Sequence, residues 1–351
     1  MNFCTLFDSN YLDKGIVLIE SLERACESLK IYVLAMDQNC FDILNDIKKD
    51  RFRDVIVINE TDFISYEKLK NEKNNRSRAE YCWTCTAHLI DYVIKYYNES
   101  KCTYIDADMY FYASPDVLID EMKEKTVQIV EHRFTNSLED RISKKQSGTY
   151  CVEFNTFTSD KDSLDLLQWW KDRCKESCSN SNGDSKVFGD QMYLEGWGEK
   201  PFVSILENKG GGVAPWNVGQ YRLVTCDGDK ITFSDKKKNT FNLIFYHFHN
   251  LSYLDDRLVD ISVYQRNWGV DDKLIDAIYL PYLQKLDKTK RWLNDKYGLN
   301  IFIKKHPAFI ARDNNKTASK NKEHHLFLSI YLIINSKLKK MFVEKKNLVS
   351  F

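Results

Sequence analysis

The chain has 351 residues, 43% of them hydrophobic and 13% aromatic, and its 51 Lys and Arg balance 51 Asp and Glu to a formal net charge of zero. This composition excludes a disordered chain, and the length allows one large domain or a domain with an appendage. No run approaches the roughly 20 apolar residues of a membrane span; the longest, from Leu326 to Ile334, is far too short. Positive charge gathers after Pro281, so a basic tail follows a more acidic body. Met1-Asn2-Phe3-Cys4 leads straight into an apolar run without a secretory leader, which predicts a cytoplasmic chain whose 10 cysteines are reduced. Cys82 and Cys85 form a CxxC with no second pair to complete a zinc site. Cys174 and Cys178, one helical turn apart, read as half-buried helix residues.

Residues 2–7 read as a strand, and Asp8-Ser9-Asn10 as a turn, with Ser9 or Asp13 capping a helix over 15–29. A strand over 31–36, a helix over 41–49, a strand over 54–58, a helix over 79–97 and a strand over 102–105 follow. This alternation predicts an α/β fold with a parallel sheet, whose ligands bind beyond the carboxyl ends of the strands. The pattern then loosens into a strand over 127–131, a helix over 162–178, a polar loop over 179–186, a glycine turn over 209–212 and a strand over 241–249. Past residue 255 come basic helices with a polar break at 312–322.

Asp106 and Asp108 sit one residue apart at the end of the fourth strand, where period-2 geometry can aim both carboxylates at one point. Two carboxylates on one point repel unless a proton or cation lies between them, and Mg²⁺ or Mn²⁺ bridging to a diphosphate suits such a pair. A solvated acidic turn is the plainer alternative. His247 and His249 alternate on the last strand, and either imidazole can complete a metal shell. Tyr11 offers a flat face for stacking, Asp8 and Asn10 an acceptor and an amide, and the backbone of Thr5 and Leu6 a reader for a base edge. Arg76 and Arg78 suit a diphosphate or a solvated helix start. Arg133, after His132 at a strand end, suits a phosphate, an acceptor or a surface ion pair.

Five segments then carry a resemblance: Phe3 to Tyr11, Tyr104 to Asp108, Phe188 to Leu194, Ala214 to Asn217, and Tyr246 to His249. In this order they resemble GT-A-fold glycosyltransferases related to glycosyltransferase family 8, more narrowly bacterial enzymes of surface-polysaccharide clusters. The resemblance spans roughly residues 2–255. It implies a GT-A domain over 1–255, Rossmann-like with a mixed, mostly parallel sheet flanked by helices, and a basic, mainly helical extension over 256–351. It implies a UDP-sugar donor, and Mn²⁺ or Mg²⁺ on Asp106, Asp108 and His247, with His249 the runner-up. Thr5, Leu6, Asp8, Asn10, Tyr11, Arg78 and Asp106-Ala107-Asp108 are the implied donor-binding positions. Asp190 and Gln191 follow Gly189 at a predicted helix start, where an N-cap is the plainer role for Asp190; by the resemblance Asp190 would hold sugar hydroxyls, Gln191 would lie beneath the anomeric carbon, and Asp106 joins them as catalytic. Relatives carry Asn-x-Gly where this chain has Cys151-Val152-Glu153, so Asn155 is the nearby candidate for a polar contact.

Together these imply transfer of a sugar, with retention, to a hydroxyl of a glycan or lipid-linked glycan. Residues 281–351, with Trp292, Tyr297 and Phe302, suit an anionic bilayer at the inner membrane face, an ordinary positive helix pair packed on the domain, or a partly disordered end. No nucleic-acid motif accompanies the charge. Two other classes compete. A sugar nucleotidyltransferase would open with a glycine-rich phosphate loop, which Asp8-Ser9-Asn10-Tyr11 lacks. A non-catalytic nucleotide-sugar-binding module is favoured if Cys151 and Glu153 block the sugar.

Overall fold

A computed structural model describes residues 1–135, 137–179, 188–254, 258–263, 270–301 and 348–350. Most of the expected polar loop at 179–186, the break at 312–322, the apolar run at 326–334 and Phe302 lie outside the described residues.

The first half alternates as its periodicity predicts. It runs β1 (Asn2–Phe7), α1 (Leu12–Ala25), β2 (Lys30–Ala35), α2 (Gln38–Arg51), β3 (Val55–Asn59), α3 (Glu60–Glu67), α4 (Lys70–Asn75), α5 (Arg78–Tyr96) and β4 (Lys101–Ile105). Then come β5 (Met109–Phe111), α6 (Asp116–Asp120), β6 (Val127–Glu131), α7 (Leu138–Ser147), β7 (Tyr150–Thr158), α8 (Lys161–Glu176) and β8 (Val203–Ile205). Seven strands form one sheet in the order β3-β2-β1-β4-β7-β6-β8. Within it β7 alone runs against the rest. The fold is thus α/β, with a mostly parallel sheet flanked by helices.

Both faces of the sheet are covered, so its strands read as continuous apolar runs. On one face Phe3 and Phe7 of β1 meet Ile16 and Leu22 of α1 and Leu44 of α2. On the other, Cys4 and Leu6 share a core with Leu89 and Val93 of α5 and Trp170 of α8. Helix starts are written locally. Ser77 and Glu80 close a capping box on α5, and Asp37 accepts from the Cys40 N–H at the head of α2.

Three expectations are corrected. Helix α1 begins at Leu12 and ends at Ala25, and neither Ser9 nor Asp13 caps it. Asp8 instead opens a single 3-10 turn by accepting from the Asn10 N–H at 3.0 Å, Ser9 donates to Asp37, and Asp13 is buried and takes a hydrogen bond from the Tyr253 hydroxyl. The strand expected over 241–249 is divided. After β9 (Arg222–Asp227) and β10 (Lys230–Ser234) come β11 (Thr240–Asn242) and β12 (Phe245–His247), separated where the Ile244 N–H turns to the Gly210 carbonyl at 2.8 Å. Strands β9, β10 and β11 form a small antiparallel sheet, whereas β12 pairs with β5, setting His247 opposite Met109. The third correction concerns Asp190, expected at a helix start, which precedes only a short 3-10 turn over Gln191–Leu194.

The chain continues through β13 (Ser252–Tyr253), β14 (Leu258–Asp260) and α9 (Asp272–Tyr297), and β15 (Leu348–Ser350) pairs with β14. Helix α9 packs into the larger core through Ile278, Tyr282 and Leu286, and its Tyr282 ring stacks on Phe248 at 3.6 Å. Among the described residues no helix is long and apolar enough to cross a membrane. All 10 cysteines are free.

Candidate active site

Strand β4 ends at Ile105 and β5 begins at Met109, so Asp106 to Asp108 form the turn between two sheets. Backbone bonds hold this turn on both sides. The Asp106 N–H donates to the Glu153 carbonyl at 3.3 Å, and the Phe248 N–H to the Asp108 carbonyl at 2.8 Å. Because β12 pairs with β5, His247 swings in beside the carboxylates. Its Nε2 lies 3.1 Å from Asp108 Oδ1 and 3.6 Å from Asp106 Oδ2. One ligand atom from each of the three lies within 4.8 Å of the others. The Tyr104 hydroxyl donates to Asp106 Oδ1 at 3.0 Å, which fixes that carboxylate.

The electrostatics are those of a site built around positive charge. Burial works against a proton on His247, but Asp108 beside it outweighs burial and lifts the imidazole well above its ordinary value. Burial also raises Asp108, yet His247, with help from Lys14 and His249, holds it below the ordinary carboxylate range. Burial, reinforced by the charge of Asp108, pushes Asp106 up despite the pull of His247. Two carboxylates and one imidazole make an oxygen-rich donor set, which fits Mg²⁺ or Mn²⁺ better than a thiophilic ion.

These groups open into a cavity of about 720 Å³, within the roughly 300–1,000 Å³ usual for small-molecule sites. Leu6, Asp8, Tyr11, Arg78, Ala107, Asp190, Gln191 and both histidines line it with the two aspartates. Three expected residues lie elsewhere. Thr5 and Asn155 are completely buried in β1 and β7, and Asn10 is exposed on the 3-10 turn. His247 and His249 do not alternate along one strand, because β12 ends at His247. His249 is exposed in the following turn, and the edges of both rings meet Trp216 at 5.4 Å.

The arginines divide. Arg78 Nε is 3.1 Å from Asp8 Oδ2, and its Nη2 donates to the Met36 carbonyl at 2.9 Å, which fixes both side chains at the rim. Arg76 turns away and donates to the Cys174 carbonyl at 2.6 Å. Arg133 serves neither a phosphate nor a surface ion pair. It donates to the carbonyls of Gly211, Leu206 and Asn208 and so ties down the glycine turn.

Asp190 is buried, and burial pushes its carboxyl up to about 7. The preceding Gly189, at φ +58°, passes so close to Trp83 that a Cβ would meet the indole at 3.2 Å. Gln191 Nε2 donates to the Ser147 carbonyl at 2.8 Å, which orients that amide.

Sequence reasoning missed Lys14 and the role of Glu153, and gave Trp216 no role beyond its place in the segment from Ala214 to Asn217. Lys14 is buried, donates to the Leu251 carbonyl at 3.0 Å and stands 4.1 Å from the Tyr11 ring centroid. Glu153 was visible only as a departure from Asn-x-Gly; its Oε2 is 2.6 Å from Nδ1 of His247.

The fold and the site define an α/β protein with a carboxylate–imidazole cluster at the end of a central strand. No protein-family model matches the chain. It is 32% identical over 321 residues to the uncharacterized protein YfnF of Bacillus subtilis strain 168, covering 90% of this chain and 99% of that protein. It is 26% identical over 297 residues to the uncharacterized protein YfnD of the same organism, covering 84% and 90% respectively. The chain belongs to the YfnF family.

Among solved structures it is similar to the galactosyltransferase LgtC bound to donor and acceptor sugar analogs, with a TM-score of 0.49, 15% identity, and 82% of this chain and 96% of that one covered. Mouse xyloside xylosyltransferase 1 gives a TM-score of 0.44 at 11% identity, over 71% and 98%. The glycosyltransferase GlyE of Streptococcus pneumoniae TIGR4 gives 0.43 at 17%, over 62% and 48%. With all three scores below one half, none of these likenesses bears on function.

Proposed function

We propose that the chain is a cation-dependent glycosyltransferase that moves a sugar from a nucleotide-diphosphate sugar, UDP-linked by the resemblance, to a hydroxyl of a glycan or lipid-linked glycan. The observation that carries this reading is the convergence of Asp106, Asp108 and His247 on one point at the mouth of the cavity. Mg²⁺ or Mn²⁺ on these three side chains would neutralise charge developing on the diphosphate leaving group.

The rest of the work falls to the chain's own groups. Tyr11, 41% exposed at the rim, offers its ring to the base, steadied by Lys14 on its face. Asp8, held by Arg78, accepts from the base or ribose. Asp190 accepts from sugar hydroxyls inside the cavity, and Gln191, with its NH₂ engaged by Ser147, turns its oxygen toward the anomeric carbon. The bond from that carbon to the phosphate oxygen breaks while the bond to the acceptor oxygen forms. The acceptor proton passes to the departing phosphate, with retention. No carboxylate is assigned as a covalent nucleophile.

In this reading residues 1–255 carry catalysis. Residues 281–351 rest on anionic lipid at the cytoplasmic face, where lipid-linked intermediates of surface polysaccharides would be met.

Calorimetry of UDP, GDP, CMP and dTDP, each with and without Mn²⁺, tests the proposal on the wild type and Asp108→Ala. UDP binding that needs Mn²⁺ and disappears in the variant is the expected result. Binding indifferent to Mn²⁺, or none at all, would sink the catalytic site and leave at most a binding module.

A further inference from the structure

We propose that Glu153 is the positioning residue of the cation site, holding the His247 ring by Nδ1 so that Nε2 faces Asp106 and Asp108 and is the nitrogen offered to a cation. The inference rests on the cation-binding reading above. Glu153 is completely buried, and its Oε2 lies 2.6 Å from Nδ1 of His247. The Glu153 oxygen accepts the Nδ1 hydrogen, which aims Nε2 at the point where Asp106 and Asp108 converge; a cation bound there would take the Nε2 lone pair in place of the hydrogen that otherwise faces Asp108. A metal-bound imidazole is commonly oriented in this way by a carboxylate on its far nitrogen.

Two observations separate this role from ordinary packing. The first is the backbone that delivers Glu153. Along the β6–β7 ladder Gln128 faces Thr156 and Val130 faces Cys151, so two steps on β6 (128 to 130) match five on β7 (156 to 151). The extra β7 residues form an irregularity of the kind that re-aims side chains beside functional sites. Here it brings both Cys151 and Glu153 onto His247. The second is an imbalance. Glu153 Oε1 is buried with no hydrogen-bond partner among the described residues. A half-satisfied buried carboxylate is a poor choice for stability, since an apolar side chain would avoid its desolvation. Among the described residues, its bond to His247 accounts for a carboxylate there.

The test uses the full-length chain and Mn²⁺ alone as probe, followed by the paramagnetic signal of the free ion. Glu153→Gln preserves volume and removes the charge. Its Mn²⁺ affinity is expected to fall roughly 10- to 100-fold while the cation-free melting temperature stays near that of the wild type. A merely structural glutamate gives the reverse: a lower melting temperature and unchanged affinity, and that result overturns the proposal. If the wild type itself binds no Mn²⁺, the cation reading fails first and takes this role with it. A readout that needs no variant is the ¹⁵N chemical shift of the His247 ring with Mg²⁺ present. Hydrogen on Nδ1 is expected, and hydrogen on Nε2 defeats the proposal even if Glu153→Gln does not fold.

Discussion

Nε2 of His247 lies 3.1 Å from Oδ1 of Asp108, and one short ladder fixes that distance, because the N–H of Phe248 donates to the Asp108 carbonyl at 2.8 Å. Side chain and backbone therefore agree. The segment that carries the imidazole is the one that clamps the carboxylate's own peptide. A cation held at this point, as proposed, would need little rearrangement of the chain, which is what preorganised electrostatic catalysis requires.

The two histidines should separate cleanly. His247→Ala removes a group that touches both aspartates, and Mn²⁺ affinity is expected to fall at least 10-fold. His249→Ala, in the exposed turn beyond β12, should change it less than 3-fold. Titration of each variant with Mn²⁺ checks this, and equal losses would mean that the two imidazoles share the ion.

Asp190 predicts a dependence on pH. Burial raises its carboxyl to about 7, above the unfolded value of about 3.9. The folded chain therefore binds the extra proton between these values, and the stability this confers is lost as pH rises through 7. Asp190→Asn should stabilise the protein at pH 8 by on the order of 1–3 kcal/mol, with little effect at pH 4. If Asp190 accepts from sugar hydroxyls, kcat/KM in the wild type should rise with pH through about 7, and the variant should lose both that rise and most of its activity. Urea melts and pH–rate profiles read the two effects separately.

A buried network joins the helices behind the site. Lys171 of α8 lies 2.8 Å from Glu67 of α3 and 2.5 Å from Asp91 of α5, and Nδ1 of His88 lies 2.6 Å from Glu67. Burial would raise Glu67, but His88 and Lys171 outweigh it and hold the carboxyl low. Lys171→Met removes the ammonium that two buried carboxylates share, leaving Glu67 with His88 and Asp91 with Lys95, and should cost about 1.5–3 kcal/mol at pH 7. Glu67's share of the stability is present above the ordinary carboxylate range and fades as pH falls through it. The gap between variant and wild type should accordingly narrow below about pH 4, as denaturant midpoints at the two pH values would show.

Gly15 is a packing requirement of α1. A Cβ there would come within 2.4 Å of the Phe7 ring. Gly15→Ala should destabilise by about 1–3 kcal/mol despite alanine's better helix propensity. The forced shift of α1 also moves Tyr11 and Lys14 at its head, so weaker UDP binding should accompany the lower melting temperature.

The legible part of this protein was its local part. Apolar periodicity marked β1 to β4 and β6 closely and found α2 and α5, whereas it set α1 too far along the chain and left the short helices α3, α4 and α6 unread. Asp106 and Asp108 could be paired from sequence because a single residue separates them on one piece of backbone. The capping box of Ser77 and Glu80 is equally local, although the sequence reading did not draw on it. The single run over 241–249 looked like one strand because a break made by a distant partner, the Gly210 carbonyl, leaves no mark on local hydrophobicity.

What the tertiary structure alone decided was which groups meet. The β5–β12 pairing put His247 rather than His249 against the aspartates, and the irregular β6–β7 ladder turned Glu153 onto the far side of that imidazole. Burial in the sheet kept Thr5 and Asn155 out of the cavity. Side-chain direction within an element follows from its period, and a sequence displays that period directly. Register between segments far apart in the chain is set by many weak contacts at once, and no short stretch of sequence contains them.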